Sequence, residues 1–460
     1  MLLITLFAYL LILLAIGLWA QRRTGDTGDF HLAGRRLGPW VAALSASTSS
    51  SSAWSLLGVS GAAYAWGLQA VWLIPAVISG FIINWNWVAP RLHRASHANG
   101  ALTLVEFLAA DCAPNIARRL RWSGALIILF CFTFYVASQF QAAGTALSVA
   151  LPVSSGVAIS LGAAVVLVYV LLGGFWAASV TDAVQGGLMA VVAVVLPLMA
   201  LISVGGPVAL WQQMQALGDP GLMTLINQPG MLTALLFVIG LFGIGLGYPG
   251  QPHVVNRFMA LEHQHDIARA RRIALSWATL IYCGMVLLGW CGRVLLPELV
   301  DRESTLLALS AELLPPILGG IVSGGVLAAI MSTADSQLLV AGSAVSHDIN
   351  HGNDSLRSDR WVVLVLGIAA VIIALYFPST LFKRVLFAWQ ALGNAFGPLL
   401  IILLWRGAVK ANWRLAAMLT GFTLTVALSL LPDSPGDSAE RLIPFALALV
   451  IAWWGSVRRR

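Results

Sequence analysis

Apolar runs of about twenty residues succeed one another along almost the whole chain, divided by short polar segments. Roughly 20 apolar residues is what an α-helix needs to cross a bilayer. Thirteen spans are predicted, at approximately 2–20, 39–66, 69–90, 120–148, 156–175, 178–204, 232–256, 273–295, 316–346, 361–377, 383–405, 413–431 and 442–456. Polar positions inside the runs are few and uneven. The densest set is Leu44-Ser45-Ala46-Ser47-Thr48-Ser49-Ser50-Ser51-Ser52-Ala53-Trp54, with seven hydroxyl residues inside the second span. Short hydroxyl side chains compete for backbone hydrogen bonds and loosen a helix. Unwound backbone at membrane depth survives only inside protein or beside a wet cavity. The tract therefore reads as a binding site.

A second disruption lies in the seventh span. Gly240 to Pro252 holds five glycines and two prolines in thirteen residues, which an ordinary helix does not accommodate throughout. The two disrupted spans are five apart. Paired interrupted helices at matching places in two halves point to an inverted-repeat secondary transporter. The repeats would occupy 38–205 and 206–407, with 1–37 and 408–460 peripheral. The competing reading is that the glycines only permit close helix packing.

Composition agrees with an all-α integral membrane protein. The chain has 460 residues, 59% hydrophobic and 10% charged, with a mean hydropathy of +0.86; soluble domains carry about 25% charged residues. The net charge of +7 is scattered in short clusters between apolar runs, a membrane pattern rather than a nucleic-acid-binding one. With the N-terminus outside, the outer segments hold only Arg293, Arg302, Lys383, Arg384 and Arg441; the other 21 of the 26 Lys and Arg lie inside. The positive-inside rule therefore puts the N-terminus outside and the C-terminus in the cytoplasm of a plasma (inner) membrane. The first span lacks a basic n-region and reads as retained rather than cleaved. The four cysteines show no metal or disulfide spacing.

On this reading no Lys or Arg lies deep in a span, but Asp182 and Asp335 do. Intramembrane carboxylates are costly and mark ion pathways by default. Residues three and four apart share a helix face, so Ser332, Asp335 and Ser336 line one stripe with Ala329 and Thr333 beside it. Hydroxyls plus a carboxylate, meeting carbonyls freed at the Ser tract, suit a hard cation. Asp335 could instead bond a neighbouring helix, and Asp182, three residues after Ser179, could cap a helix N-terminus.

Several motifs resemble the sodium/solute symporter family, and within it the bacterial sodium/proline symporters. They are His31 to Pro39, Gly173 to Asp182, Gly247 to His253 with Arg257 to Ala260, Leu327 to Val340, Phe387-Ala388-Trp389 and Phe396-Gly397-Pro398. They run in order along roughly the whole chain. The resemblance implies a LeuT-type inverted five-helix repeat core and sodium-driven import of a small solute such as an amino acid or related carboxylate. It implies a main sodium site from the carbonyls of Thr48, Ser51 and Ala329 and the hydroxyls of Ser332 and Thr333. In some members a second site involves the equivalents of Asp182, Asp335 and Ser336. Substrate contacts map to the broken helices, through Ser50, Ser52, Trp54 and Ile244, to Tyr135 in the fourth span, and to Tyr248 and Pro252 in the seventh. Two departures stand out: the proline symporters have Asp where this chain has Ser50, and Trp where it has Ile244. Asp335 stands where they commonly have a neutral residue, so the carboxylate is expected to have moved across the site.

Rival classes are a proton-coupled carrier using Asp335 or Asp182, and a transporter-derived sensor, against which stands the absence of a soluble domain before Arg460. A membrane enzyme is weakest: the eight histidines form no metal-site spacing with acids, and no nucleophile–base motif appears.

Overall fold

The second predicted span folds as two helices rather than one. In a computed structural model, which describes residues 11–12, 15–16, 32–150, 153–172, 174–350, 356–377 and 380–458, helix α1 (Pro39–Ala53) starts with Pro39 in its first turn, where the missing N–H has no helical partner to lose. It breaks at Ser52, whose φ of 54° and ψ of −175° fit no helix. A wide turn over Trp54–Gly58 leads into α2 (Val59–Trp66). The third span is α3 (Leu73–Ile82) and α4 (Ala89–Asn99), joined by another wide turn. The short α5 (Leu104–Ala109) is capped by Thr103, whose hydroxyl accepts from the Glu106 amide. Spans four to six are α6 (Pro114–Ala150), α7 (Ser155–Leu172) and α8 (Phe175–Val204), followed by the connecting helix α9 (Pro207–Ala216).

The seventh span is also divided, into α10 (Met231–Leu246) and α11 (Pro252–Ala260) around a single turn at Tyr248–Gly250. Then come α12 (Ile267–Leu295), the short α13 (Thr305–Leu313), α14 (Pro316–Ser343), α15 (Leu356–Tyr376), α16 (Leu381–Arg406), α17 (Ala411–Ser429) and α18 (Ser438–Trp454). A minimal antiparallel pair, β1 (Gly407–Val409) with β2 (Ser456–Arg458), closes the last three helices. Helices thus stand at the second to thirteenth predicted spans, whereas the first lies almost wholly outside the described residues. Among the described residues eight helical stretches are long and apolar enough to cross a membrane.

Which helices form the centre follows from how much of their apolar surface is enclosed. The most apolar stretches of α16 and α14 are 89% and 83% buried, against 39% for α8 and 33% for α15. A helix apolar all round and enclosed by protein is a core helix; one apolar outward is a lipid-facing one. Helix α14 packs on α1, α6 and α8, and α16 on α6, α17 and α18. The two broken spans therefore pass beside the two most enclosed helices.

Candidate ion and solute site

At the first break most hydroxyls turn back on their own helix. Ser47 donates to Ala43 O (2.7 Å), Thr48 to Leu44 O (2.9 Å) and Ser50 to Ser47 O (2.9 Å). Such back-bonding weakens a helix without leaving donors unpaired. Past Ser52 the freed amides also find partners: Ala53 N donates to Gln139 Oε1 on α6 (3.1 Å) and Trp54 N to Ser52 Oγ (3.1 Å). Opposite stands α14. Thr333 Oγ1 donates to Ser49 O (3.1 Å) and Thr48 O (3.4 Å), and Ser332 Oγ donates to Ala329 O (3.2 Å). All these residues are buried except Leu44, which is half-buried. The structure thus brings Thr48 and Thr333 together, with Ser332 next to Thr333 in the chain and Ala329 one turn before it. The Ser51 carbonyl is engaged by the Trp54 amide.

One turn below the Thr48 contact lies a buried charged network. Asp182 Oδ2 accepts from Ser45 (2.6 Å), Ser49 (3.2 Å) and Arg257 Nη2 (3.2 Å). Arg257 also donates from Nε to Ser45 Oγ (3.0 Å), from Nη2 to Ser336 Oγ (2.5 Å) and from Nη1 to His253 O. Ser336 Oγ lies 3.1 Å from Ser49 Oγ and donates to Asp335 Oδ1 (3.1 Å). Asp182 and Arg257 form an ion pair with both side chains fully buried.

Two expectations are corrected here. Arg257 does not sit in a polar connection: it belongs to α11, wholly enclosed, and it compensates Asp182. Nor is Asp182 a cap. Helix α8 begins at Phe175 with Gly174 before it and no side-chain cap, so Asp182 is already in its third turn. An intramembrane arginine beside two carboxylates obeys the rule that buried charges pair. The signal that could have found it was the imbalance itself: two deep carboxylates with no cation among the spans.

The second break is built differently. Gly247 and Gly250 let α16 approach: a Cβ on Gly250 would meet the backbone of Gly393 and Leu392 at 2.7 Å. Neighbouring side chains take the carbonyls this break frees. Trp389 Nε1 donates to Ile244 O (3.0 Å), Gln390 to Gly243 O (2.9 Å), Asn84 to Tyr248 O (3.2 Å), and Gln251 to both Gly247 O (3.0 Å) and Trp389 O (2.8 Å). Pro252 opens α11. Both readings of these glycines hold, for they break the helix and admit its neighbour.

Aromatic rings line the space between the breaks. Tyr135 donates to Ser52 Oγ (3.5 Å), Tyr248 faces Ser50, and Tyr282 on α12 faces Ser51. Trp389 lies edge-on to Tyr248 (4.6 Å) and Trp54 contacts Tyr282 (6.1 Å) and Phe382 (5.6 Å). Ile244 is buried, and its carbonyl accepts from Trp389 Nε1. Sequence reasoning missed Gln139, Tyr282 and Trp389 as parts of this wall. At the start of α16, Glu303 accepts from the Leu381 and Phe382 amides (both 2.8 Å), and burial pushes its carboxyl pKa above the ordinary value despite those amides.

The family model described as "Sodium:solute symporter family" matches residues 30–421. The chain belongs to that family. Relatives include the osmoregulated proline transporter OpuE of Bacillus subtilis, 35% identical over 91% of this chain and 86% of that protein. The sodium/proline symporter of Escherichia coli is 36% identical over 92% and 86%. In architecture the symporter matches the substrate-bound outward-open state of a Na+-coupled sialic acid symporter, with a TM-score of 0.81 at 18% identity over 98% of this chain and 96% of the other. It also matches Mhp1, a nucleobase-cation-symport-1 family transporter, at 0.59 and 14% over 94% and 96%. The fold is therefore LeuT-type. As a member of this family the protein is a sodium-coupled importer of a small organic solute in the plasma membrane, not an enzyme.

Proposed function

We propose that the symporter imports proline or a closely related small amino acid, with sodium held between the first broken helix and α14. The observation that carries the ion site is the Thr333 hydroxyl lodged against the Thr48 and Ser49 carbonyls. Turning that hydroxyl's lone pair inward would give a hard cation the carbonyls of Thr48, Ser51 and Ala329 with the hydroxyls of Ser332 and Thr333, an all-oxygen set. Asp335, joined to the tract through Ser336 and Ser49, supplies the charge that Ser50 lacks. The solute lies at the two breaks among Ser50, Ser52, Trp54, Tyr135, Tyr248, Ile244 and Pro252, where half-helix N-termini favour a carboxylate. Proline is supported by the printed activities of the relatives and by the aromatic wall, in which Trp389 and Tyr282 offset the missing aromatic at Ile244.

Residues 38–205 and 206–407 act as the two inverted repeats. The N-terminus lies outside and the C-terminus in the cytoplasm, as the distribution of Lys and Arg favours. Sodium from outside orders the break, the solute follows, and the loaded protein opens inward. A sodium ion moving down about 100 mV gains roughly 2.3 kcal/mol, sufficient for about 50-fold accumulation.

Uptake of labelled proline into proteoliposomes, driven by sodium and then by potassium, tests this reading. Accumulation with sodium alone, competed by proline analogues, is expected. Sodium-driven uptake of a different solute only would remove proline and keep the ion. Asp335→Asn should uncouple uptake from sodium; normal sodium-driven uptake in that variant would end the relocated-charge reading.

A further inference from the structure

A cavity of about 570 Å³ opens at the end of the bundle that carries the connection from α15 to α16, and none of its lining residues belongs to the site above. One wall is apolar: Phe130 and Phe134 of α6 lie there with ring centres 5.0 Å apart. The other is charged, with Lys383 and Arg384 from α16 facing Asp433, Asp437, Glu440 and Arg441 at and before the start of α18. Phe377 and Leu430, just past the ends of α15 and α17, complete the lining and are 65% and 81% exposed. Residues at the ends of spans stand at the level of the lipid headgroups.

The six charges of the cavity balance in number, but only four of them pair. Lys383 meets Asp433 at 2.6 Å, and Arg441 meets Asp437. Arg384 and Glu440 are left. Arg384 is only 7% exposed, yet it donates to neutral oxygens alone, Gln141 Oε1 (2.9 Å) and the Phe377 carbonyl. A guanidinium has five N–H donors, so three remain. The half-buried Glu440 carboxylate has neither an ion pair nor a hydrogen bond among the described residues. Charges withdrawn from water are costly without a partner. Here one cation and one anion line the same cavity without meeting.

We infer that this cavity holds the headgroup of a zwitterionic phospholipid, its phosphate on Arg384 and its ammonium on Glu440, with the acyl chains leaving past Phe377 and Leu430. A guanidinium is the side chain best matched to a phosphate, and a carboxylate gives an ammonium a charge-assisted hydrogen bond. A headgroup with a net charge would leave one of the two residues unmatched. The exposed apolar edge selects a lipid over a free zwitterion, which has no chain to cover it. The bound lipid braces the start of α16, whose Leu381 and Phe382 amides are already held by Glu303. Neither the transported ion nor the solute takes part in this site.

Native mass spectrometry of the purified full chain in detergent, titrated with dioleoyl phosphatidylethanolamine or dioleoyl phosphatidylglycerol, counts the lipids retained. The wild-type protein should retain one phosphatidylethanolamine at a concentration about tenfold below that needed for phosphatidylglycerol. Glu440→Gln keeps the shape and should abolish that preference by weakening the phosphatidylethanolamine. Arg384→Gln should weaken both lipids, since both carry the phosphate; if that variant does not fold, Glu440→Gln decides alone. Equal retention of the two lipids by the wild-type protein would overturn the inference, as would an undiminished preference in Glu440→Gln. Displacement of the lipid by an equal concentration of glycerophosphoethanolamine, the headgroup without its chains, would also overturn it and make the ligand a soluble zwitterion.

Discussion

The two helix breaks serve the same architecture by opposite means. At the first, one residue, Ser52, leaves the helical region, and the surrounding polar groups are short hydroxyls belonging largely to the broken helix itself. At the second, the helix gives way to a single turn at Tyr248–Gly250, and carbonyls of that turn and of the last turn of α10 are taken by Asn84, Gln251, Trp389 and Gln390. A carbonyl pinned by a buried side-chain indole or carboxamide has little to offer an ion. One held by a rotatable threonine hydroxyl can exchange that donor for a cation with little rearrangement. The first break is therefore the ion-facing one, and the second is a fixed bend whose value is its shape.

The sharpest way to break this contrast is to unbalance the charges beneath the first break. Asp182→Asn leaves Arg257 buried without its ion pair, and losing one partner of a buried pair costs about 3–5 kcal/mol. A large fall in thermal stability of the solubilised protein is expected. Adding Arg257→Gln should restore much of it, because the two changes act on one interaction and are not additive. Equal losses in the single and double variants would mean that Asp182 acts through its other bonds.

At the second break the largest effect should come from Gly250→Ala. The added methyl meets only backbone, at 2.7 Å from Gly393 and Leu392, and nothing there can swing aside. Overpacking of this kind costs about 1–3 kcal/mol. The expected outcome is lower stability and a lower maximal uptake rate with the sodium requirement unchanged. A shift in sodium requirement would make the second break part of the ion site.

Thr333→Ala tests the first break directly. Losing one oxygen ligand should raise the half-saturating sodium concentration about tenfold, equivalent to about 1.4 kcal/mol, with Ser332→Ala in the same direction. Unchanged sodium dependence in both would remove the ion from α14.

What could be read from the chain divides along the same line. Both breaks were visible because they depend on local composition: a hydroxyl run and a Gly/Pro run disrupt helices wherever they sit. Ser332, Thr333 and Ser336 were visible because helical spacing puts them on one face. Arg257 was not. It lies just past the predicted end of a span and close to Glu262 and His263, so by sequence it resembles any arginine in a polar connection. Only the packing of α11 against α1 and α14 shows it to be enclosed. The caps on the second break were equally hidden, since Trp389 and Gln390 lie some 145 residues from the carbonyls they serve.

The smallest effect tests the claim that most of the hydroxyl tract serves only to let the helix break. Ser47 and Ser49 are two positions apart and both fully buried. Ser47 makes only a back-bond to Ala43 O, whereas Ser49 reaches Asp182 and Ser336 as well as Ser45 O. Ala43 O keeps its helical partner when the Ser47 hydroxyl is removed, and no other group loses a donor. Ser47→Ala should therefore change stability by less than about 0.5 kcal/mol and leave sodium-driven uptake intact. Ser49→Ala should weaken uptake measurably. If the two substitutions behave alike, the tract acts through its average polarity, and the site does not depend on which hydroxyl faces α14.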